Sequence, residues 1–350
     1  MTTVSTQYMA SLMGLAVSQT QSQLATADTE SSTGQYADLG LQLGDESGYE
    51  LSLKNQTNFL QTLTSSNNIA STNLSATQAA LTSISSGAQT TLQDLAEWTP
   101  ENGSASTLQQ LGATSLQSLI STTNTASNGQ YIFGGINTGV APMADYFASP
   151  TSSAQSAITQ AFTTEFGGAP TDAGASSISS SDMQNFLSTT FANLYQGSSW
   201  TANWSSASSV NTSSEIAPGQ TVDTSTNANQ SGFQKLAEAY SMLSEFAGSS
   251  LSQSAQQAVV ATASSLISSA RASLTQTQAV VGTAQSQITD ANNSMSSQMT
   301  IMQTQIGNLD NINSYQVATE VSSLTTQLQT AYELTAQLQQ LSLSKYLPVS

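Results

Sequence analysis

Apolar and small side chains recur every three or four residues along two long stretches of the chain. This spacing places each row on one narrow face of a helix, a pattern typical of helices that pack on another helix. The first row comprises Leu60, Leu63, Asn67, Ala70, Leu74, Thr77, Leu81, Ile84, Ala88, Leu92 and Leu95. The second comprises Ile267, Ala270, Leu274, Thr277, Val281, Ala284, Ile288, Ala291, Met295, Met299, Met302, Ile306 and Leu309. The sequence therefore predicts two long helices, one in each flank.

Turn-forming residues mark where these helices end. Pro100 and the Asn-Gly pair that follows it predict the end of the first helix, and the apolar residues of 108–120 predict a second, shorter one. In the other flank the apolar row weakens at 311–314 and resumes over 321–341. We therefore expect a separate terminal helix there.

Residues 137–232 lack this periodicity. Glycine, proline, serine and threonine are scattered through them, and aromatic side chains cluster among them, so we predict a small mixed domain of short strands and loops. Because helical rows lie on both sides, the simplest topology pairs the flanks antiparallel. The predicted fold class is mainly α: a long antiparallel helical coiled-coil rod formed by the N- and C-terminal flanks, with a small mixed or β-rich inserted domain.

Three domains follow from this topology. Residues 1–45 and 306–350 form a terminal coiled-coil assembly domain, residues 46–136 and 233–305 a helical rod domain, and residues 137–232 an inserted outer domain. Each terminal flank presents one narrow apolar row that another surface must cover. We expect residues 8–24 to pair with residues 324–341.

The composition favours a protein that assembles. Only 7% of the residues are charged, where an ordinary soluble domain has roughly a quarter, and Ser, Thr, Gln and Asn take their place. Neutral polar surfaces lie against copies of themselves at low desolvation cost. The net charge is −17 and no Lys or Arg occurs between Lys54 and Lys235, so nucleic acid and anionic membranes are not expected partners.

Residue types exclude most catalytic chemistry. The chain has no Cys and no His, which removes thiol nucleophiles, histidine bases and the usual zinc or copper ligand sets. The carboxylates Asp94 and Glu97, three residues apart on one predicted helix, are interpreted as a solvated helix end. We therefore predict no catalytic, cofactor-binding or metal site, and a protein that is not an enzyme.

Two further groups allow a second interpretation. Met295, Met299 and Met302 would suit a soft metal, but they lie on the same row as the apolar residues, which favours core packing. Trp200 and Trp204 would suit carbohydrate stacking, although anchoring of the inserted domain is favoured.

The N-terminal stretch does not form a convincing cleaved secretion signal. No Lys or Arg precedes its modest apolar run, and Ser11, Gly14 and Ser18 interrupt that run. Nowhere does the chain approach the roughly 18 uninterrupted apolar residues of a membrane span. We expect no membrane insertion, and a soluble protein unless an export route without a cleaved signal takes it out of the cell.

Three segments resemble the flagellin superfamily. Residues 30–34, Glu-Ser-Ser-Thr-Gly, resemble the segment that ends the first terminal helix of flagellins. Residues 128–138, Asn-Gly-Gln-Tyr-Ile-Phe-Gly-Gly-Ile-Asn-Thr, resemble a strand typical of the hook-associated protein 3 branch. Residues 321–347 are similar to the helix that closes flagellin-like chains. The chain departs from this pattern at Gln35, where many relatives place a basic residue, and at residues 348–350, which extend past the usual apolar end.

The resemblance implies a structural subunit that joins hook to filament in the bacterial flagellum. It implies export by the flagellar type III apparatus without a cleaved signal, and an extracellular location in the flagellum. The implied partners are copies of the chain itself, an adjoining hook-associated protein, flagellin and an export chaperone; no cofactor is implied. The alternatives are a filament-forming flagellin and, more remotely, a nonflagellar coiled-coil secreted protein such as a secretion-system component or adhesin.

Two sets of residues are singled out in this way. The family motifs contribute Glu30, Ser32, Gly34, Asn128, Gly129, Tyr131, Phe133, Gly135, Asn137 and Thr138. The residues expected to serve assembly are Tyr8, Leu12, Leu15, Leu24, Leu324, Leu328, Leu334, Leu338, Leu341, Tyr346 and Leu347.

Overall fold

The structure is a computed structural model that describes residues 6–99, 104–248 and 250–344. The α-helices of this part of the chain are α1 (Thr6–Thr33), α2 (Leu39–Leu43), α3 (Ser47–Glu97), α4 (Ala105–Thr123), α5 (Ser153–Phe166), α6 (Ser180–Phe186), α7 (Gly197–Asn203), α8 (Ser231–Phe246), α9 (Gln253–Asp310) and α10 (Ser314–Ser344). The strands form two antiparallel hairpins, β1 (Ala126–Ser127) with β2 (Gln130–Tyr131), and β3 (Ser213–Ala217) with β4 (Gln220–Asp223). The predicted class, long helices with a small mixed insertion, is confirmed.

The chain divides into two compact units. The first consists of residues 1–61 and 296–350, and the second of residues 62–295. Each unit has its own apolar cluster, and the two clusters differ greatly in size. The cluster between α1 and α10 in the first unit is small, whereas the second unit has an extensive core.

In the second unit, α3 and α9 lie side by side in opposite directions. Gln285 Nε2 donates to Ser75 Oγ over 3.1 Å, and Gln278 Nε2 donates to Thr82 Oγ1 over 3.3 Å. The predicted apolar rows are buried here, as a helix pair with one narrow apolar face each requires. Their buried members in this unit are Asn67, Ala70, Leu74, Thr77, Leu81, Ile84, Ala88, Leu95, Ile267, Ala270, Leu274, Val281, Ala284, Ile288, Ala291 and Met295.

The predicted helix breaks occur where the structure describes them. α3 and α4 are separate helices, and Pro100 with the Asn-Gly pair lies between them, outside the described residues. α9 and α10 are also separate, which confirms the break predicted at 311–314. The side-chain oxygen of Asn313 caps α10, because it accepts from the N–H groups of Tyr315 and Gln316 over 3.2 and 3.3 Å.

Between α4 and α8 the chain forms a mixed region in which helices α5 to α7 contribute more than strands do. Aromatic rings fill its core: Tyr146 stacks on Trp204 and Phe162 stacks on Phe246 of α8, each pair with ring centroids 5.2 Å apart. Trp200 and Trp204 are each 1% exposed. They therefore anchor this region, as the packing interpretation predicted.

Threonine hydroxyls on the helices are satisfied within their own helix. The hydroxyl donates to the carbonyl four residues earlier, a bond that removes the donor from the helix surface. This arrangement recurs on α1, α3, α9 and α10, at Thr20, Thr72, Thr82, Thr275, Thr289, Thr300, Thr319, Thr325 and Thr330.

A buried carboxyl group, Glu238, lies on α8. Its residue is 6% exposed, and it lines a cavity of about 550 Å³ bounded by α8, α9 and residues 187–197. Burial raises the pKa of Glu238 to about 7, against a smaller lowering by Lys235 one turn earlier. Folding therefore favours the protonated carboxyl.

We expect this group to make stability depend on pH. Below pH 4.5 the carboxyl is protonated in the folded and the unfolded chain, and its contribution is fully present. As pH rises from 4.5 to 7 the free energy of unfolding falls by about 3 kcal/mol, because the carboxyl ionises freely in the unfolded chain while burial opposes its ionisation in the folded chain. Glu238→Gln should remove this decline in urea unfolding, making the variant more stable than the wild type at about pH 8 and equal to it at about pH 4.

Glu97→Gln, which removes an exposed carboxylate at the end of α3, controls for the loss of one charge. It should leave the difference in stability between the two pH values unchanged. The interpretation is wrong if Glu238→Gln has the same pH dependence as the wild type.

Candidate assembly interface

The helices α1 and α10 pair antiparallel in the first unit. Gln21 Nε2 donates a hydrogen bond of 2.6 Å to Tyr332 Oη, while Ala27 is buried together with Val317 and Leu324. The predicted pairing of the two terminal flanks is therefore observed. The partly buried residues that complete this contact are Leu24, Ile312 and Val321.

The first family-like segment ends α1 and fastens it to the junction between α9 and α10. Gly34 has a φ of 74°, the left-handed conformation with which many helices end. Its carbonyl accepts from the N–H of Ile312 over 3.1 Å, and the N–H of Tyr36 donates to the Asp310 carbonyl over 3.1 Å. Glu30 also accepts a backbone hydrogen bond from beyond the turn, whereas the Ser32 hydroxyl bonds only within α1.

A cluster of one lysine and two carboxylates lies beside this junction. Lys54 Nζ pairs with Glu50, one turn earlier on α3, and with Asp310 at the end of α9, the second at 2.9 Å. Both acidic residues are buried. Hydrogen bonds to Glu50 and to Asp310 raise the pKa of Lys54. This cluster was not predicted from the sequence, because Lys54 and Asp310 meet only once α3 and α9 are aligned.

Large apolar side chains remain uncovered on α1 and α10. Tyr8, Leu12 and Leu15 are 59%, 47% and 69% exposed, and Leu334 is 44% exposed. An apolar groove of about 580 Å³ lies between the two helices, and Leu334 is one of the residues that line it. Exposed apolar patches are typical of protein contact sites.

The predicted assembly residues fall into three groups. Those that are buried or half-buried are Leu24, Leu324 and Leu328. Those on the surface are Tyr8, Leu12, Leu15 and Leu334. Those outside the described part are Tyr346, Leu347 and the side chains of Leu338 and Leu341, although the backbone of the last two belongs to α10.

The second family-like segment begins with a tight turn. Asn128 and Gly129 both have positive φ and form the two-residue connection of the β1–β2 hairpin. The N–H of Tyr131 donates to the carbonyl of Thr138 over 2.9 Å, so the segment folds back on itself.

The same segment is bonded to the far end of the mixed region. The Phe133 carbonyl accepts from the N–H of Ala228 over 2.9 Å, and the buried Phe133 ring meets Phe233 of α8 with ring centroids 5.1 Å apart. Asn137 Nδ2 donates to the Ser206 carbonyl over 3.0 Å. Residues 128–138 therefore close the insertion by joining its start to its end.

Asn229 connects several parts of this closure by hydrogen bonds, and it was not predicted from the sequence. Its Oδ1 accepts from Trp200 Nε1 over 2.8 Å and from Ser205 Oγ over 2.6 Å, while its Nδ2 donates to the Ala207 carbonyl over 2.9 Å. One Asn among several polar residues, with Asn227 two positions earlier, gives no sequence signal for such a role.

The other candidate groups have structural surroundings. Asp94 and Glu97 are exposed at the end of α3, and Met295, Met299 and Met302 are buried on the apolar row of α9. Among the described residues, no group of three or more His, Cys, Asp or Glu side chains is placed to hold a metal ion. No helix in the described ranges is long and apolar enough to cross a membrane.

A substitution at Gly135 tests how tightly residues 128–138 are packed. Gly135 has a φ of 61°, and a Cβ atom there would lie 2.5 Å from the Ser208 carbonyl oxygen and 2.6 Å from that of Val210. Gly135→Ala should therefore lower the free energy of unfolding by roughly 2–4 kcal/mol in urea titrations. Gly139→Ala has no atom within 4 Å of the new carbon and should change it by no more than about 0.5 kcal/mol. Equal stabilities of the two variants would show that the segment is loosely held.

Comparison with known protein families agrees with the arrangement of the helices. Residues 4–138 match the bacterial flagellin N-terminal helical region, and residues 264–347 match the bacterial flagellin C-terminal helical region. The two matches cover more than half of the chain and include all three family-like segments. A search among curated proteins found no match. The paired terminal helices and the two matched regions together show that the chain belongs to the flagellin superfamily of structural flagellar subunits.

Proposed function

We propose that this chain joins the hook to the filament of the bacterial flagellum as a hook-associated protein. Its family consists of structural subunits that assemble into the extracellular flagellum. The observation that supports the junction role is the segment 128–138, which resembles the hook-associated protein 3 branch. The hydrogen bonds of this segment close the insertion, so the segment has a structural role in the chain.

The proposed contact surface lies on the terminal helices. Tyr8, Leu12, Leu15 and Leu334 expose apolar area that a monomer leaves in water, and removing such area from water stabilises an assembly by about 25 cal/mol per Å². The proposed partners are further copies of the chain, an adjoining hook-associated protein and flagellin. In this proposal residues 1–45 and 306–350 serve assembly, residues 46–136 and 233–305 form the helical rod domain, and residues 137–232 face outward.

The proposed route to the outside is the flagellar type III apparatus, without a cleaved signal and with the help of an export chaperone. A chain that is threaded in an unfolded state must not be crosslinked. The absence of Cys from the sequence supports this route, because no disulfide can form before or during passage.

The proposed role needs no catalysis. The flagellin family is structural, and the chain has neither His nor Cys to serve as base or nucleophile. The one carboxylate pair singled out by spacing, Asp94 with Glu97, is exposed at a helix end.

A filament-forming flagellin is the second candidate function. The description of both matched regions, which names bacterial flagellin, favours it. The two roles differ in where the protein lies along the flagellum, because a junction protein occupies one short zone and a filament subunit occupies the whole length.

Immunogold electron microscopy distinguishes the two roles. An antibody raised against the mixed region, residues 137–232, should label a single band where the hook meets the filament. A strain that lacks the gene should keep its hooks and release flagellin into the medium. Label along the entire filament would contradict the junction role and support the flagellin alternative.

The contact surface has its own test. Leu12→Asp with Leu15→Asp places two charges where assembly must remove water, so the variant should be secreted but should fail to restore filaments to the deletion strain. Because both side chains are largely exposed, its thermal unfolding should match the wild type. Val210→Asp, at an apolar residue of the insertion that is 61% exposed, should restore filaments. Normal motility of the double variant would contradict the assignment of α1 to assembly.

A further inference from the structure

Asn67 is a polar residue in the middle of an apolar row, and it is only 1% exposed. At intervals of seven residues along α3 the row continues with Leu74, Leu81, Ala88 and Leu95. The facing row on α9 repeats at the same interval through Ile267, Leu274, Val281, Ile288 and Met295. Apart from Asn67 every member of these two seven-residue series is apolar, so a slip of seven residues would again place their apolar side chains against apolar side chains. The rows alone therefore do not determine the alignment of α3 with α9.

The Asn67 amide makes bonds to two other parts of the second unit. Its Nδ2 donates to Asn292 Oδ1 on α9 over 2.8 Å and to the carbonyl of Ile216 on β3 over 2.7 Å. Asn292 Nδ2 in turn donates to Asn68 Oδ1 over 3.3 Å. These bonds form at one alignment of the helices, because a shift of a single helical turn moves Asn292 by about 5 Å.

The Ile216 carbonyl is free to accept for a specific reason. In the β3–β4 ladder Glu215 pairs with Thr221 and Ala217 pairs with Gln220, so Ile216 is an extra residue in a β-bulge. A bulged residue is left out of the ladder. Its side chain is fully buried, and Asn67 supplies the donor that its carbonyl needs.

The amide of Asn67 is only partly satisfied at this site. Its Oδ1 is buried and has no hydrogen-bond partner among the described residues, and an unsatisfied buried acceptor costs free energy. A leucine, which continues the row on either side, would avoid that cost but would leave the Ile216 carbonyl without its donor. A polar group retained under these conditions is best explained by selection of one alignment, since a single buried Asn fixes helix register at a cost in stability.

We propose that Asn67 sets the register of the α3–α9 pair and seats the β3–β4 hairpin on it. The Asn67 amide donates to α9 and to β3 at the same time. It rejects slipped alignments, because a slip of seven residues would place Met299 or Gln285 where Asn292 stands and would break the bond between the two asparagines. It also holds the hairpin at the one point where the bulge presents a carbonyl.

Spin-label distances test this proposal in the full chain. The protein has no Cys, so Ala79→Cys on α3 and Ala261→Cys on α9, both exposed, carry the only labels. The wild-type background should give one distance. In Asn67→Leu we expect a second population, displaced along the helix axis by about 10 Å, which corresponds to seven residues. A separate label at Thr221→Cys on β4 should become more mobile in the same variant.

Thr77→Val is the matched control. Thr77 is also a polar member of the buried row, at 2% exposure, but its hydroxyl donates within α3 to the Asn73 carbonyl. Thr77→Val should therefore keep a single distance and an immobile hairpin label. A single distance in Asn67→Leu as well would overturn the proposal and leave Asn67 as an ordinary buried amide.

Asn292→Leu separates the two contacts and covers the case in which Asn67→Leu does not fold. Asn292 is half-buried at the edge of the contact, and its replacement leaves the bond from Asn67 to Ile216 in place. We expect the second distance population with an immobile hairpin label. A single distance in this variant would also overturn the register role.

Discussion

Most of the surface of each long helix is polar, and what keeps α3 and α9 folded is the one apolar face that each covers for the other. Ser75 on α3 and Gln285 on α9, which are hydrogen-bonded to each other, are 210 residues apart in sequence. Helices of this composition gain their stability from such a contact rather than from local propensity. Because the contact joins the two flanks, the chain between them must leave the helix pair and return to it. The closure by residues 128–138 and the aromatic core of the mixed region both follow from that requirement.

The two compact units differ in how many apolar residues they bury. In the second unit rings and aliphatic side chains form one large core, which resists local opening. Between α1 and α10 the buried residues Ala27, Val317 and Leu324 are the centre of a cluster too small to stabilise long helices on its own. The outward-facing leucines of α1 leave apolar area in water, and in the proposed assembly a neighbouring subunit would cover it.

The parts that followed from sequence are those governed by local rules. The periodic rows and the break at 311–314 depend on spacing, the helix end at Gly34 was implied by the resemblance to flagellins, and each was found. Helix α5 was not predicted, although its buried Ala154, Ile158 and Phe162 are spaced by four and Ser152 caps its start. The run is too short to stand out among the many serines around it.

What the sequence did not reveal depends on alignment in three dimensions. The Lys54 cluster, the hydrogen bonds of Asn229 and the bond from Asn67 to the bulged strand all join residues whose meeting is decided by the register of distant segments. Asn67 was visible in the apolar row, but nothing near it in sequence identifies Ile216 as its partner. The proposed assembly surface rests on exposed apolar area, which indicates that another surface covers it but does not depend on the partner's identity.

The threonines that bond to their own helix change what the outer surface offers to a neighbour. With its proton directed at a carbonyl of the preceding turn, each of these hydroxyls presents a methyl group and an acceptor, and it has no donor left to lose. Two such faces meet without stranding a hydrogen-bond donor between them, and with few charges to dehydrate. Contacts of this kind have no single required angle or offset. A lattice built from such contacts would tolerate small sliding movements between subunits, and the polymer would bend by many small displacements.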